Sequence, residues 1–211
     1  MKALLFPGQG SQVVGMGLEF YKNFGTAKRI FTQADDSLNF KISKIILEGP
    51  ENELKLTQNT QPAILIVSSA IYNVLKNDLG LSLKSFKYFA GHSLGEYSAL
   101  VCSGSLKFRD ALHLLRERGK AMQEAVPVGK GAMLAILGSK IEEINNLISQ
   151  FNQKGVCEIA NDNSDGQTII SGDKEAVANL HQALKEKKKK AILLPVSAPF
   201  HCSLMKDAAN K

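Results

Sequence analysis

The stretch Ala90-Gly91-His92-Ser93-Leu94-Gly95-Glu96-Tyr97 constrains the fold more than any other part of the chain. Tyr88 to Ala90 reads as a short strand, and a helix is expected after Ser93. A G-x-S-x-G sequence between strand and helix must turn sharply. Glycines on both sides of Ser93 permit that turn and a close approach of helix to strand. The Ser93 hydroxyl then stands exposed at the strand's carboxyl end, with free N–H groups and the positive end of the helix dipole aimed at it. The context is that of a nucleophile elbow, rather than of a Gly-rich turn with Ser93 as a simple helix cap.

The rest of the pattern fits an α/β architecture. Lys2–Phe6 is an apolar run stopped by Pro7-Gly8 and is expected to be a buried strand. Helices are expected over Glu19–Phe24 and Thr26–Leu38, and over a short segment opened by Gly49-Pro50, with Pro50 in its first turn. Thr60 to Leu79 reads as a buried helix. Phe108–Ala125 reads as an amphipathic one, with Leu112, Leu115, Gly119 and Met122 on one face. From Gly131 the texture changes. Strands at Ala132–Leu137, Val156–Ala160, Gln167–Ser171 and Ala191–Val196 alternate with helices at Lys140–Gln153 and Asp173–Lys189, the latter with Asp173 as N-cap. This βαββαβ order is that of a ferredoxin-like α+β domain. The expected organisation is a hydrolase-like parallel-sheet large domain, residues 1–127 plus 197–211, with a ferredoxin-like small domain inserted at 128–196.

Composition excludes several classes. With 44% hydrophobic and 22% charged residues in 211, the chain has enough apolar side chain for a core and is not disordered. No apolar run approaches the ~18–20 residues of a membrane span, and the N-terminal apolar stretch is too short for a signal peptide; a cytoplasmic protein with no membrane partner is expected. Three scattered cysteines (Cys102, Cys157 and Cys202) without a C-x-x-C point to free, buried or half-buried thiols, with neither a disulfide framework nor a metal site. Four of the charges behind the net +6 form the run Lys187 to Lys190, and without them +2 remains. The run suits a solvated helix end. With no tryptophan and no aromatic interleaving, an acidic protein partner fits better than nucleic acid.

A serine nucleophile needs a base. His92 adjoins Ser93, and its side chain should point away and line the pocket. His113 and His181 lie inside long helices. His201 follows the proline-bounded loop Ser197-Ala198-Pro199-Phe200 after a strand, where catalytic groups usually sit, and is the best candidate. No acidic third member is evident: Asp162, Asp165 and Asp173 all fall in the inserted domain. The loop Phe6-Pro7-Gly8-Gln9-Gly10-Ser11-Gln12 lacks the third glycine of a dinucleotide fingerprint. It suits an oxyanion-binding role better, with the Leu94 amide as the other donor. Arg116 and Arg118 project to different sides of one helix, and spacing does not separate them.

Taken together and in order, Gly8-Gln9-Gly10-Ser11-Gln12, Thr60-Gln61-Pro62-Ala63, Gly91-His92-Ser93-Leu94-Gly95-Glu96-Tyr97, Arg118-Gly119, Met122-Gln123-Glu124-Ala125-Val126-Pro127, Asn161-Asp162-Asn163-Ser164-Asp165-Gly166-Gln167 and Pro199-Phe200-His201 resemble the malonyl-CoA:acyl carrier protein transacylases of bacterial fatty-acid synthesis. The resemblance covers the whole chain. It implies Ser93 as nucleophile and His201 as base, with the backbone amides of Gln9 and Leu94 forming the oxyanion hole. It implies Arg118 as partner of the malonyl carboxylate. His92, Met122, Asn161 and Asn163 would line the pocket, and Phe200 would disfavour an α-methyl group. The implied reaction is ping-pong, from malonyl-CoA to Ser93 and on to the phosphopantetheine thiol of an acidic acyl carrier protein, without a cofactor. Members of that family continue well past the position of Lys211 and carry downstream the group that orients the histidine. The 211 residues are therefore expected to be a C-terminally shortened form and a weak catalyst. A serine esterase of the α/β-hydrolase type and a non-catalytic carrier-docking module are the alternatives.

Overall fold

The computed structural model describes residues 2–82, 85–127, 129–151, 155–196 and 198–211. Contacts divide the chain into two units, Met1–Lys120 and Ala121–Lys211.

The first unit runs β1 (Lys2–Phe6), α1 (Leu18–Asn23), α2 (Gly25–Leu38), α3 (Ile42–Glu48), α4 (Glu51–Lys55), α5 (Thr57–Asn73, continuing as a π-helical turn over Val74–Asp78), β2 (Phe86–Gly91), α6 (Gly95–Ser103) and most of α7 (Phe108–Ala125). β1 and β2 pair in parallel, with Phe6 opposite Gly91. The two strands therefore end together, and the loops that follow them emerge side by side. β1 is not the buried strand expected from its apolar run. Only Phe6 is buried, and Leu5 is 78% exposed. The reason is that the core of this unit is helical: Phe31, Ile42, Ile46, Leu65, Ile66, Leu112 and Leu115 fill it. β1 adds only Phe6, in a small separate cluster with Ala99 and Cys102 of α6.

α5 is the buried helix expected, begun three residues earlier at Thr57. Its polar first turn is buried because it closes off α4. Asn59 donates to the Glu53 carbonyl at 2.9 Å and Thr60 to the Leu54 carbonyl at 2.6 Å, satisfying acceptors that a helix end leaves open. Pro50 stands at the N-cap of α4 rather than inside its first turn.

The second unit carries β3 (Gly131–Leu137), α8 (Ile141–Phe151), β4 (Cys157–Ser164), β5 (Gln167–Asp173), α9 (Lys174–Glu186) and β6 (Lys190–Leu193), then a 3₁₀ turn over Ser203–Met205 and α10 (Lys206–Asn210). The four strands form one antiparallel sheet in the order β4-β5-β3-β6. Alternation along the strands sorts the two faces. Leu134, Ile136 and Ile170 pack against Ile144, Leu147, Leu180 and Leu184 of α8 and α9. Met133, Ala135 and Ile169, on the other face, pack against Ala198, Phe200 and Met205.

Two local expectations change. β6 ends at Leu193 rather than Val196, since Pro195 has no N–H to give to a ladder. Asp173 does hold the N-cap position of α9, but its carboxylate accepts the Val156 N–H at 2.6 Å and makes no cap bond. The expected end of α8 at Gln153 and the domain borders at Val128 and Ser197 lie outside the described residues. Among the described residues, no helix is long and apolar enough to cross a membrane.

Candidate active site

Ser93 sits where β2 turns into α6, with φ of 53°. A non-glycine residue in this left-handed region is sterically costly, and the surroundings must hold it there. They do so with backbone. The Gly95 N–H bonds the His92 carbonyl at 2.9 Å, the Glu96 N–H bonds the Ser93 carbonyl at 3.1 Å, and the His92 N–H bonds the Phe6 carbonyl at 3.1 Å. Strand and helix come so close that a Cβ on Gly91 would overlap the Gly95 carbonyl. Leu94 is fully buried in the helical core and anchors the turn from below.

The loop after β1 lies against this turn. A Cβ on Gly8 would stand 2.6 Å from the His92 carbonyl oxygen and 2.7 Å from His92 Nδ1. Gln9 is held from outside by its side chain, which donates to Thr57 Oγ1 at 3.3 Å. Among the described residues, neither the Gln9 nor the Leu94 amide donates to a backbone carbonyl.

The two arginines of α7 separate cleanly. Arg116 lies over the Phe40 ring, 4.5 Å from its centroid. Arg118 donates one guanidinium nitrogen to Ser93 Oγ at 3.2 Å and another to Gln61 Oε1 at 2.7 Å. Its Cζ is 5.9 Å from the Tyr97 centroid. Burial lowers its pKa, while Tyr97 and Glu96 oppose that shift; an arginine keeps its charge regardless. This placement depends on Gly119. A Cβ there would lie 2.6 Å from Gln58 Cα and 2.7 Å from the Thr57 carbonyl, so glycine lets α7 approach the start of α5 and brings Arg118 to Gln61.

The first unit thus assembles Gln9, His92, Ser93, Leu94 and Arg118. The second carries Met122, Asn161, Asn163, Phe200 and His201. Met122 and Phe200 are buried in one apolar cluster on the open face of the sheet. Asn161 is half-buried opposite Ile169, and Asn163 is exposed, its side chain donating to Gln167 Oε1 at 3.3 Å. His201 is exposed in a turn with φ of 60°.

The thiols stand apart from this chemistry. Burial pushes Cys102 up to about 12 and Cys157 to about 11, and raises Cys202 as well. All three are free, and thiols so shifted are poor nucleophiles. Among the described residues no cluster of three or more His, Cys, Asp or Glu is placed to hold a metal.

Residues 3–211 match the acyl transferase domain. The chain belongs to that family. This acyl transferase domain is 47% identical over 211 residues to the malonyl CoA-acyl carrier protein transacylase of Bacillus subtilis strain 168, taking in 99% of this chain and 65% of that relative. It matches the crystal structure of an acyl-carrier-protein S-malonyltransferase from Bartonella henselae with a TM-score of 0.94 at 47% identity, over 99% of this chain and 67% of the other. A malonyl-transacylase solved in complex with its type II PKS acyl-carrier protein matches at a TM-score of 0.93 and 44% identity, over 99% and 67%. The acyl transferase domain described here spans about two thirds of the length of these relatives. Its α/β fold, with one parallel and one antiparallel sheet, is theirs.

Gln61, Thr57 and Glu158 were not among the residues expected at the site. The signal for Gln61 was present: a glutamine in a long, largely buried helix is itself fully buried and needs a partner. Glu158, on a strand of the second unit, gave no such signal.

Proposed function

We propose that this chain carries the chemistry of malonyl transfer from coenzyme A to an acyl carrier protein through a malonyl-Ser93 intermediate. The observation that carries the reading is the Arg118 guanidinium 3.2 Å from Ser93 Oγ, braced by Gln61. A fixed cation beside a nucleophile suits an acyl group that bears its own carboxylate, and a guanidinium fork matches a carboxylate geometrically. The names of the relatives, and the carrier-bound complex among them, support the same substrates. A neutral-ester hydrolase has no use for this arginine.

In this reading Ser93 Oγ attacks the thioester carbonyl and His201 takes its proton. The Gln9 and Leu94 amides receive the oxyanion. Collapse expels the coenzyme A thiol, which regains the proton from His201. The phosphopantetheine thiol of the carrier then attacks the ester, and the same groups act in reverse order. Arg118 gives up Ser93 Oγ and pairs with the malonyl carboxylate. His92, Met122, Asn161 and Asn163 line the acyl pocket, and the Phe200 ring crowds an α-methyl substituent. The charge run at Lys187 to Lys190 complements an acidic carrier.

We read residues 1–127 with 197–211 as a hydrolase-like large domain and 128–196 as a ferredoxin-like insertion. The βαββαβ order and the spatial order β4-β5-β3-β6 support the second part.

The test is intact mass after mixing with malonyl-CoA. One malonyl adduct on the parent and none on Ser93→Ala is expected. An adduct that survives in Ser93→Ala, or none on the parent, overturns the reading.

A further inference from the structure

His201 has a backbone conformation that is unfavourable for a residue with a Cβ, and it lies in a connection with no regular hydrogen-bond ladder. Something must hold it. Upstream, Phe200 is buried against the sheet, and its N–H bonds the Ala198 carbonyl at 3.1 Å. Downstream, Met205 is buried in the same cluster. Between these anchors, Cys202 Sγ bonds the Pro199 carbonyl at 3.2 Å across the turn. A further constraint comes from a distant strand. Glu158 Oε2 accepts the Ser203 N–H at 2.7 Å, and Glu158 Oε1 accepts the Ser203 hydroxyl at 2.7 Å.

The register of β4 explains how Glu158 reaches this loop. Glu158 lies opposite Ser171, two residues along β5 from Ile169, and so faces the side of the sheet that carries Ala198, Phe200 and Met205. A register shift between Ile159 and Asn161 then keeps Asn161 opposite Ile169, on the same face. One short strand therefore presents both a proposed pocket residue and a carboxylate that grips the loop. Ser203 opens the 3₁₀ turn, and its N–H is one of the amides that a helix start leaves unpaired. A carboxylate is the strongest partner for it.

We propose that Glu158 is a positioning residue for His201: its two bonds to Ser203 hold the loop so that the imidazole keeps its working orientation. The proposal rests on His201 acting as the base for Ser93. A base displaced by about an ångström can cost about a hundredfold in rate without loss of substrate binding.

The experiment compares the parent, Glu158→Ala, Glu158→Gln and Ser203→Ala. Two readouts are taken: the rate of malonyl-Ser93 formation against malonyl-CoA concentration, and amide hydrogen exchange over residues 199–204. Glu158→Ala is expected to speed exchange at Ser203 and slow the maximal acylation rate about ten- to hundredfold, with the half-saturating malonyl-CoA concentration unchanged. Ser203→Ala keeps the amide bond and should lose less. Glu158→Gln still offers an acceptor to the amide and should recover most of the rate. Faster exchange with an unchanged acylation rate would overturn the proposal. So would unchanged exchange, or an equal loss in Glu158→Gln accompanied by a lower melting temperature, which marks a purely structural role. An adduct that persists in Ser93→Ala, or a parent that takes no malonyl group, is instead a failure of the transfer reading. In the last case, hydrogen exchange still shows whether Glu158 orders the loop, and unchanged exchange overturns the proposal there too.

Discussion

Ser93 and His201 share an uncommon backbone region, with φ of 53° and 60°, yet the two turns are held by different means. The other described non-glycine residues at positive φ, Asn39 and Lys188, sit just past the ends of α2 and α9, where left-handed residues are ordinary. The Ser93 turn is locked by main chain: adjacent strand and helix, short N–H to carbonyl bonds, and a gap at Gly91 too narrow for a methyl group. The His201 loop is held by side chains: Phe200 and Met205 in an apolar cluster, and Glu158 on Ser203. A turn closed by main-chain bonds leaves side chains, such as Leu94 beneath it, a smaller share in holding it. A loop held by side chains can be loosened stepwise.

The sharpest way to break this contrast is Gly91→Ala. The new Cβ meets backbone, which cannot swing aside, so a loss of more than about 4 kcal/mol or complete failure to fold is expected in thermal unfolding. A melting temperature near that of the parent would show that the turn has slack. Next in size is Arg118→Ala. Losing a charge-assisted bond worth about 1.5–3 kcal/mol should lower kcat/KM for malonyl-CoA about ten- to hundredfold and leave acetyl-CoA nearly unchanged. Equal losses on both substrates would make Arg118 a brace for the turn rather than a reader of the acyl group.

A third test uses one buried thiol from each unit. The folded pKa values of Cys102 and Cys157, about 12 and about 11, lie above the ordinary 9.0. The unfolded thiols ionise first as pH rises. The stabilisation is therefore complete below pH 9 and is lost progressively toward pH 11–12. Each thiol should contribute a slope of about 1.4 kcal/mol per pH unit in that window. Denaturant unfolding at pH 8 and pH 10 should show a smaller drop in Cys102→Ala and in Cys157→Ala. An unchanged drop in either variant would mean its thiol is already solvated. The smallest expected effect is that of Ser93→Gly. Glycine removes the left-handed strain but adds unfolded-state entropy, so stability should change by less than about 1 kcal/mol while the malonyl adduct disappears. A loss well above that would show that the hydroxyl, through its bond from Arg118, supports the turn.

Much of the fold was legible because its signals are local. The helix over Phe108–Ala125 has the bounds that its periodicity suggests. The βαββαβ run was readable from alternation and length alone. Where reading failed, a non-local fact intervened. An apolar run does not say whether anything covers it, and β1 proved largely exposed. Asp173 has the identity and position of a cap, but the Val156 amide seventeen residues earlier claims its carboxylate. In the candidate site, Ser93 was legible from the strand–turn–helix context. Arg118 could not be told from Arg116 by spacing, because both project from one helix and only the neighbours differ.

By itself, the sequence determined what depends on neighbours along the chain: a serine between glycines at a strand end, a proline-bounded loop before His201, and a glycine after Arg118. Such features act over a few residues, through backbone sterics and helix periodicity. Tertiary structure alone decided which arginine meets Ser93, that Gln61 supplies the bracing oxygen, and that Glu158 reaches Ser203 across forty-five positions of sequence. Those choices depend on how closely α7 and α5 approach and on the register of β4 against β5. Both are set by packing many side chains at once, which no short window of residues contains.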